Sequence, residues 1–405
     1  MRFFALICTV SLSTIVAGET GFSLEVPETV RQVQEIVRRF AQEKVAPHVR
    51  ELDETQAFPR DLLREAGEIG LMGLFVPQEY GGAGLGYYEY VAAIMELGRV
   101  DGAIGLSVAA HNSLCVGHIY YHGSEEQKRR YLPKLASGEW LGAWALTEPG
   151  TGSDASNMDT VAVPEGEGWR ITGQKNFITH GISADVYVVV ARTGERRASR
   201  NATAFIVEKG TPGLVPGKKE DKLGMRASET SWIGLDGVWV PDSQRIGAVG
   251  EGFHQAMQVL DGGRISIAAL ALGIARGAYE AALAYAQQRH QFGKPLIEHQ
   301  AIAFKLADMA MELSAAELLT LQAAYLKNTG QPVTRFSAMA KYYASEVGVK
   351  ICNEAVQIFG GYGYIKDYPV EKYYRDIKLC TIGEGTSEIQ RLVISRDILR
   401  EAGLL

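Results

Sequence analysis

The 405-residue sequence carries 41 lysines and arginines against 47 aspartates and glutamates, which gives a net charge of −6. A chain of this length exceeds one ordinary hydrophobic core and predicts two or three domains. The negative charge argues against nucleic acid or an anionic membrane as the main partner. The four cysteines show no paired spacing, which favours a reducing compartment over a disulfide framework.

The N-terminus contains an apolar run, FFALICTVSLSTIVA, over residues 3–17. This run is short for a membrane span and has the pattern of a signal-peptide core, without the several arginines of a mitochondrial transit peptide. We interpret residues 1–22 as an apolar extension or the product of a mis-assigned start codon, with secretion as the weaker alternative. We expect no stable membrane insertion.

The rest of the sequence changes its hydrophobic period twice. Residues 23–140 begin with VRQVQEIVRRFAQEKV, in which apolar residues recur at helical spacing. Residues 141–250 contain short β-branched and aromatic runs, such as DVYVVVAR and WIGLDGVWV, and predict strands. Residues 251–405 return to the helical period in long alanine- and leucine-rich stretches, which predict a helix bundle. The predicted fold class is mainly α with a β middle domain.

Two weak motifs lie in the first helical part. GGAGLG at residues 81–86 has the glycines of a dinucleotide fingerprint but not their spacing, and we interpret it as a turn. Cys115, His118 and His122 fall at helical spacing. Because no fourth ligand accompanies them, we predict no metal site.

Two further motifs lie in the strand-rich part. ALTEPGTGSD at residues 145–154 is a small-residue loop whose backbone N–H groups can hold a phosphate or a heteroaromatic ring. NFITHG at residues 176–181 places an aromatic, an aliphatic and a hydroxyl side chain in sequence, which suits a flat cofactor. Each motif alone is weak, because glycine- and threonine-rich loops are common.

A carboxylate between two glycines, Glu384, is the centre of the motif GEGTSEIQR at residues 383–391. The residues after it predict a helix, with Thr386 or Ser387 as its N-cap and Glu388 in its first turn. The flanking glycines allow the backbone to approach a ligand closely. An exposed acidic loop fits this motif equally well.

Taken together, these motifs and their spacing resemble the acyl-CoA dehydrogenase family, most closely its short-chain (butyryl-CoA) branch. The resemblance runs from about Val26 to the C-terminus. Further matching segments are PQEYGGAGLG (77–86), GKKEDKLGMR (217–226), LDGGR (260–264), RHQFGKP (289–295) and QIFGGYGY (357–364).

The resemblance implies a fold and a reaction. The fold is an N-terminal helical domain, an antiparallel β-barrel-like middle domain and a C-terminal four-helix bundle. The reaction is FAD-dependent conversion of a short-chain acyl-CoA to the trans-2-enoyl-CoA, with electrons passed to electron-transfer flavoprotein, in fatty acid or branched-chain amino acid catabolism. The implied assembly is a homotetramer, in the cytoplasm of a bacterium or the mitochondrial matrix of a eukaryote.

The resemblance also implies that Glu384 is the catalytic base. Removal of the α proton requires a carboxylate hidden from water, because desolvation raises its pKa towards neutrality. Some branches carry the base on the helix of the LDGGR segment, where this sequence has Gly263. The thioester carbonyl would be polarised by the Glu384 N–H and a ribityl hydroxyl of FAD.

The remaining site residues are carried over from the matching motifs. The implied FAD contacts are Trp144, Ala145, Leu146, Thr147, Glu148, Pro149, Gly150, Thr151, Gly152, Ser153, Phe177, Ile178, Thr179, Arg289, Phe292, Gln300, Gln357, Ile358, Phe359, Gly360, Gly361, Thr386, Ser387 and Glu388. Arg289, Gln300 and residues 357–361 would reach the FAD of a neighbouring subunit. The implied acyl-CoA contacts are Ser153, Asp261, Gly262, Gly263, Arg264 and Gly385.

The sequence departs from the family pattern at two positions. Phe177 stands where tryptophan is commoner, and Gly383 precedes the base where tyrosine is commoner, which removes an aromatic wall from the acyl pocket. The sequence therefore leaves butyryl-CoA, a 2-methyl-branched acyl-CoA and hexanoyl-CoA as alternative substrates. The rival functions are an acyl-CoA oxidase or flavin monooxygenase on the same fold, and a non-catalytic acyl-CoA-binding protein.

Overall fold

The computed structural model of the chain describes residues 26–198 and 200–404. Its elements run from helices to strands and back to helices, so the predicted fold class is confirmed. The predicted extension at residues 1–22 lies outside the described residues. The boundaries drawn between the three predicted domains stay a prediction.

The N-terminal part is helical because apolar residues recur at helical spacing between proline-containing breaks. In the first helix, Val30, Val37 and Phe40 form the buried stripe, and the opposite face is charged. The GGAGLG segment forms a turn in which Gly81 and Gly84 take left-handed φ values of 80° and 68°. The helices are α1 (Glu28–Phe40), α2 (Val49–Thr55), α3 (Arg60–Glu68), α4 (Tyr87–Val100), α5 (Gly102–Ala110), α6 (Gly117–His122) and α7 (Glu125–Ala136).

The middle part is an eight-stranded sheet with the order β6-β7-β3-β2-β4-β5-β8, in which β1 also pairs with β4. Most pairings are antiparallel, whereas β1 and β2 each pair with β4 in parallel. Strand β4 is buried almost throughout because it lies at the centre of this sheet. The strands are β1 (Gly142–Ala145), β2 (Val161–Glu165), β3 (Gly168–Thr179), β4 (Val186–Arg192), β5 (Ala202–Glu208), β6 (Leu214–Lys219), β7 (Thr230–Pro241) and β8 (Arg245–Ile246).

The C-terminal part is a helix bundle around one long central helix, α8. An apolar window of α8 is long enough to span a membrane, but 67% of it is buried inside the protein, as in a core helix. Close packing requires glycine at position 273, because a Cβ there would lie 2.3 Å from the Met95 carbonyl oxygen of α4. The elements are α8 (Gly252–Gln288), β9 (His290–Gln291), β10 (Lys294–Pro295), α9 (Gln300–Asn328), α10 (Thr334–Phe359), α11 (Val370–Ile377) and α12 (Ser387–Glu401).

A buried lysine joins the three parts of the chain. Lys372 of α11 donates to Asp376 at 2.6 Å and to Asp101 at 3.4 Å. Asp101 also caps α5 by accepting the Ala103 N–H at 2.6 Å, and Asp376 accepts the Met225 N–H from the strand-rich part at 2.6 Å. Burial alone would lower the pKa of Lys372, but the two carboxylates outweigh it, so its pKa is raised. The lysine is therefore charged wherever the protein is folded.

We predict that Lys372→Met lowers the free energy of unfolding by about 3–5 kcal/mol, because it leaves two buried carboxylates without their cation. Urea denaturation of the purified protein at fixed concentration measures this loss. The matched control is Lys44→Met, which removes an exposed pair with Glu65 and should cost less than about 1 kcal/mol. Equal losses for the two variants would contradict the prediction.

Candidate functional site

The turn that carries Glu384 is held from behind by two side chains. Glu384 has a left-handed φ of 54°, and its carbonyl oxygen accepts from the Gln390 amide at 3.2 Å. The next carbonyl, of Gly385, accepts from Gln390 at 2.9 Å and from the buried Lys341 ammonium at 2.6 Å. Within the described residues the Glu384 N–H donates to no protein acceptor. The turn is thus fixed by its carbonyls, while its N–H stays available.

The residues that follow Glu384 in the motif form the beginning of helix α12. The Thr386 hydroxyl accepts from the N–H of Ile389 at 3.4 Å and caps α12, as predicted for one of the two candidate caps. The other candidate, Ser387, is buried and donates instead to Glu346 at 2.5 Å. Glu388 is exposed in the first turn. The Ser387 hydroxyl therefore already uses its proton in a hydrogen bond within the protein.

Glu384 is half-buried, and one of its two carboxyl oxygens is enclosed without a protein partner. Its Oε2 atom is out of contact with water and has no hydrogen bond to any described residue. Burial raises the pKa of Glu384 to about 7, although the charges of Lys341 and Arg264 act in the opposite direction. A carboxylate with this pKa can take up a proton near neutral pH, as a general base must.

Gly263 lies directly beneath this carboxyl group. A Cβ at position 263 would lie 1.9 Å from Glu384 Oε2 and 3.2 Å from a methyl group of Leu114. The absence of a side chain at 263 therefore creates the space that the carboxyl group occupies. The alternative base position named from the sequence and the Glu384 carboxyl group fall at the same point in space.

Asp261 and Arg264, predicted to contact acyl-CoA, are bound to each other. Their side chains form a buried ion pair of 2.7 Å, and the Thr334 hydroxyl donates to the second Asp261 oxygen at 2.7 Å. Burial raises the pKa of Asp261 and lowers that of Arg264. Arg264 Nε has no partner among the described residues, so the guanidinium keeps one free donor beside Glu384.

The predicted flavin loop follows strand β1 and lies beside β3. The N–H of Asn176 donates to the Thr147 carbonyl at 2.8 Å, which joins the loop to the NFITHG segment. The Thr151 hydroxyl is buried without a partner among the described residues. Ala145, Leu146 and Ile178 are buried in the core, Trp144, Thr147 and Thr179 are half-buried, and Pro149, Gly150, Gly152 and Ser153 are exposed.

Phe177 is unusual for an aromatic residue in a strand. It is 64% exposed and has a left-handed φ of 55°, which a bulky residue rarely adopts. A planar ligand lying on this ring would cover an apolar surface that the chain leaves open to water. The exposed ring of Phe177 is thus available for the predicted contact with FAD.

Glu148 points into the protein and organises the loop. Its carboxylate accepts from the buried Lys175 ammonium at 2.8 Å and from the Thr160 N–H at 3.0 Å. Burial lowers the pKa of Lys175 to about 8, and the charge of Glu148 opposes that shift. Sequence reasoning missed Lys175, because a lysine in a strand gives no signal of burial. Its role is to pair with Glu148.

Three buried histidines hold β1, and sequence reasoning missed all three in this role. The Gly142 N–H donates to His111 Nδ1 at 3.0 Å, and the Gly142 carbonyl accepts from His180 Nδ1 at 3.1 Å. The Trp144 indole donates to His118 Nδ1 at 2.9 Å. Burial lowers the pKa values of His111 and His118 to about 3 and that of His180 to about 4. No cluster of ligands suited to a metal occurs among the described residues.

A second group of predicted residues lies at the far end of α8. Arg289 stacks on the Tyr362 ring at 5.7 Å and lines a cavity of about 500 Å³ together with Ile358, Phe359, Gly360 and Gly361. Ile358 and Phe359 are themselves buried, so they would offer mainly backbone atoms. Gln300 and Gln357 are exposed, and Phe292 is 96% exposed.

The two groups of residues are far apart within one chain. Gly263 and Arg289 are separated by 26 positions, nearly all of them within α8, which corresponds to about 39 Å at the helical rise. The Arg289 cavity therefore lies far from the Glu384 carboxyl group of the same chain.

Comparison with known proteins gives a consistent result over the described chain. Three parts of the chain match the family models of acyl-CoA dehydrogenases. These are the N-terminal domain over residues 27–139, the middle domain over 143–238 and the C-terminal domain over 250–399. The short-chain specific acyl-CoA dehydrogenase of Clostridium acetobutylicum is 48% identical over 368 residues, covering 91% of this chain and 97% of that protein.

Solved structures agree with this match. Butyryl-CoA dehydrogenase from Megasphaera elsdenii has a TM-score of 0.92 at 41% identity, covering 94% of this chain and 100% of that chain. A chain from a study of the electron transferring flavoprotein of Acidaminococcus fermentans has a TM-score of 0.92 at 44% identity, with the same coverage.

The buried histidines predict a pH dependence of stability. Their folded pKa values lie below the unfolded value of about 6.5, so the unfolded chain binds more protons between about pH 4 and 6.5. Stability is therefore retained above pH 6.5 and falls as the pH decreases, by up to about 1.4 kcal/mol per pH unit for each histidine. Urea unfolding at several pH values measures the slope.

The variant His111→Asn should have a shallower acid slope, because it removes one titrating group and keeps an acceptor for the Gly142 N–H. The matched control is His48→Asn at an exposed position, which should keep the wild-type slope. An unchanged slope in His111→Asn would show that this histidine is not responsible.

Proposed function

The chain belongs to the acyl-CoA dehydrogenase family, and we propose that it is a FAD-dependent dehydrogenase of short-chain acyl-CoA. The observation that carries the proposal is the Glu384 carboxyl group, which has one oxygen enclosed against Gly263 without a partner and a pKa of about 7. The short-chain preference rests on the relatives, whose names specify short-chain or butyryl-CoA substrates.

The residues around the flavin loop fit FAD. Thr151 has a buried hydroxyl without a partner, Phe177 exposes an aromatic ring, and the exposed glycines of the loop leave backbone N–H groups accessible. FAD, when bound, supplies the acceptor for the hydride that leaves the β carbon of the substrate. Trp144 to Ser153 and Phe177 to Thr179 are the segments that would hold it.

Glu384 then acts on the α carbon. Its Oε2 atom takes the α proton, and the low polarity that raises its pKa makes it a stronger base than an exposed carboxylate. The Glu384 N–H donates to no described protein acceptor, and we assign it as a donor to the charge that develops on the thioester oxygen. Arg264 and Lys341 keep positive charge near the carboxylate, which limits how far its pKa rises.

Electron-transfer flavoprotein is the proposed electron acceptor, because a close structural neighbour comes from a study of that protein. Rapid peroxide release in air would instead identify an oxidase. The three described cysteines are buried and free, which fits the reducing cytoplasm of a bacterium or a mitochondrial matrix. The acyl-CoA and electron-transfer flavoprotein are thus the expected partners.

A homo-oligomer completes the proposed cofactor site. Arg289 and the cavity beside it lie about 39 Å along α8 from Gly263, so we assign them to the flavin of a neighbouring chain and not to that of their own. They offer an arginine, two glycines and an aromatic ring to a neighbour's dinucleotide. A tetramer is the assembly implied by the family resemblance.

We predict that Glu384→Gln keeps FAD and binds butyryl-CoA but loses flavin reduction by about 10⁴-fold or more, the upper end of general-base effects. Gln has nearly the same size and retains the backbone N–H, but it cannot accept a proton. Stopped-flow bleaching under anaerobic conditions measures the rate. For the wild type, the rate should rise with pH up to about 7 and then level off, as the pKa of Glu384 requires.

Glu126→Gln is the matched control, because Glu126 is an exposed glutamate in the first turn of α7 and has no assigned role in binding FAD or the substrate. It should bleach at the wild-type rate. Bleaching of Glu384→Gln within about tenfold of the wild type, far less than a base deletion causes, would assign the base to another residue.

We predict that Arg289→Ala weakens FAD retention, because a charge-assisted contact is worth about 1.5–3 kcal/mol. The loss should grow as the protein is diluted and its oligomer dissociates. FAD content after gel filtration at several concentrations measures both effects. Arg50→Ala, at an exposed helical pair, is the control, and a monomeric wild type with full FAD would contradict the proposal.

A further inference from the structure

A chain of hydrogen bonds connects three parts of the protein behind the flavin loop. The Trp144 indole of β1 donates to His118 Nδ1 at 2.9 Å. His118 Nε2 of α6 lies 3.1 Å from the Gln255 side-chain oxygen of α8. Because the indole can only donate, Nδ1 must accept, and the ring proton resides on Nε2, where it donates to Gln255. The two partners thus fix both the tautomer and the ring plane of His118.

His118 is suited to hold this bond permanently. It is fully buried, and burial together with the neighbouring His122 lowers its pKa to about 3, so Nδ1 keeps its lone pair at all physiological pH values. Gln255 is held in turn, since its amide donates to the Ile246 carbonyl at 3.3 Å. An indole bound to such a rigid acceptor has little freedom to turn.

The Trp144 ring lies close to the Glu384 site. It packs against a small apolar cluster of Ala110, Leu114 and Val259. A methyl group of Leu114 lies 3.2 Å from the point where a Cβ of residue 263 would be, and Glu384 Oε2 lies 1.9 Å from that same point. Leu114 thus belongs both to the cluster that the indole packs against and to the wall of the space that holds the Glu384 carboxyl group.

We infer that His118 is a positioning residue, which fixes the Trp144 indole as an apolar wall beside the acyl group and thereby limits the length of the acyl chain. The inference rests on the proposed function. Trp144 lies near the end of β1, next to the flavin loop, and its ring packs on the cluster that contains Leu114. A fixed large ring there leaves less room for a long chain than a mobile or smaller side chain would.

The alternative is that the Trp144–His118 bond only satisfies two buried polar groups. In that case its loss would lower stability and FAD content but would affect all acyl chain lengths equally. A change in the ratio between substrates separates the two roles, since a general loss of folded enzyme cancels from that ratio.

The experiment measures anaerobic flavin bleaching of the FAD-loaded enzyme with butyryl-, hexanoyl- and octanoyl-CoA, separating the limiting rate from the half-saturating concentration. We expect Trp144→Ala to raise the octanoyl-to-butyryl ratio of efficiencies at least tenfold, since even one methylene is discriminated about 10–200-fold in an apolar pocket. His118→Leu should raise the same ratio about threefold or more, a smaller effect because the ring remains but is no longer fixed.

Two variants keep the test decisive. His118→Asn retains an acceptor near the Nδ1 position and should return the ratio to within about twofold of the wild type, by the same reasoning on discrimination. If His118→Leu fails to retain FAD, Trp144→Phe replaces it, because it deletes the N–H and keeps an aromatic ring. His254→Leu, at an exposed position of α8, is the matched control and should leave the ratio unchanged.

The outcomes separate this inference from the proposed function. A wild type that no acyl-CoA bleaches would overturn the proposed function itself. If the wild type bleaches and Trp144→Ala has the same octanoyl-to-butyryl ratio as the wild type, the Trp144 ring does not limit the length of the acyl chain. Equal ratios for His118→Leu and His118→Asn would overturn the positioning role of His118.

Discussion

The position of the whole C-terminal site depends on one buried cation. Lys372 is shared by two carboxylates, Asp101 from the N-terminal helices and Asp376 from its own helix, and Asp376 also holds the Met225 N–H of the strand-rich part. Removing one partner from such a buried network is costly, because it leaves charges without a counter-ion. Here the network joins the three parts at one cation, and Glu384 follows Asp376 by eight residues.

The position of the Glu384 carboxyl group depends on the missing side chain at position 263 as much as on attractive contacts. The Glu384 carboxyl group occupies the volume that a side chain at position 263 would fill, so one chain can hold a carboxylate from only one of these two positions. The Oε2 atom of Glu384 has no protein partner and no contact with water, which disfavours the charged form. Raising its pKa from 4.5 to about 7 costs the folded protein about 3 kcal/mol at neutral pH and above. The folded protein thus carries a carboxyl group that exchanges its proton near neutral pH.

Local sequence patterns predicted the order of helices and strands and the turn at Glu384. Periodicity gave the helix, strand and helix order, and the glycines, Thr386 and Glu388 placed the Glu384 turn before a helix. The resemblance supplied the roles of these residues. What sequence did not reveal are pairs between distant positions: Glu148 with Lys175, Trp144 with His118, and Gly263 with Glu384. A buried polar partner has no periodic signature, because either residue alone fits a surface position equally well.

The long helix α8 connects two of the places described above. Gly263, the twelfth residue of the helix, lies beneath the Glu384 carboxyl group, and Arg289 follows the last turn, beside the cavity. A helix adds about 1.5 Å and roughly 100° of rotation with each residue, so one inserted residue would turn Arg289 away from the face it now occupies. The number of residues between positions 263 and 289 therefore fixes both the distance and the relative direction of the Glu384 carboxyl group and the Arg289 cavity.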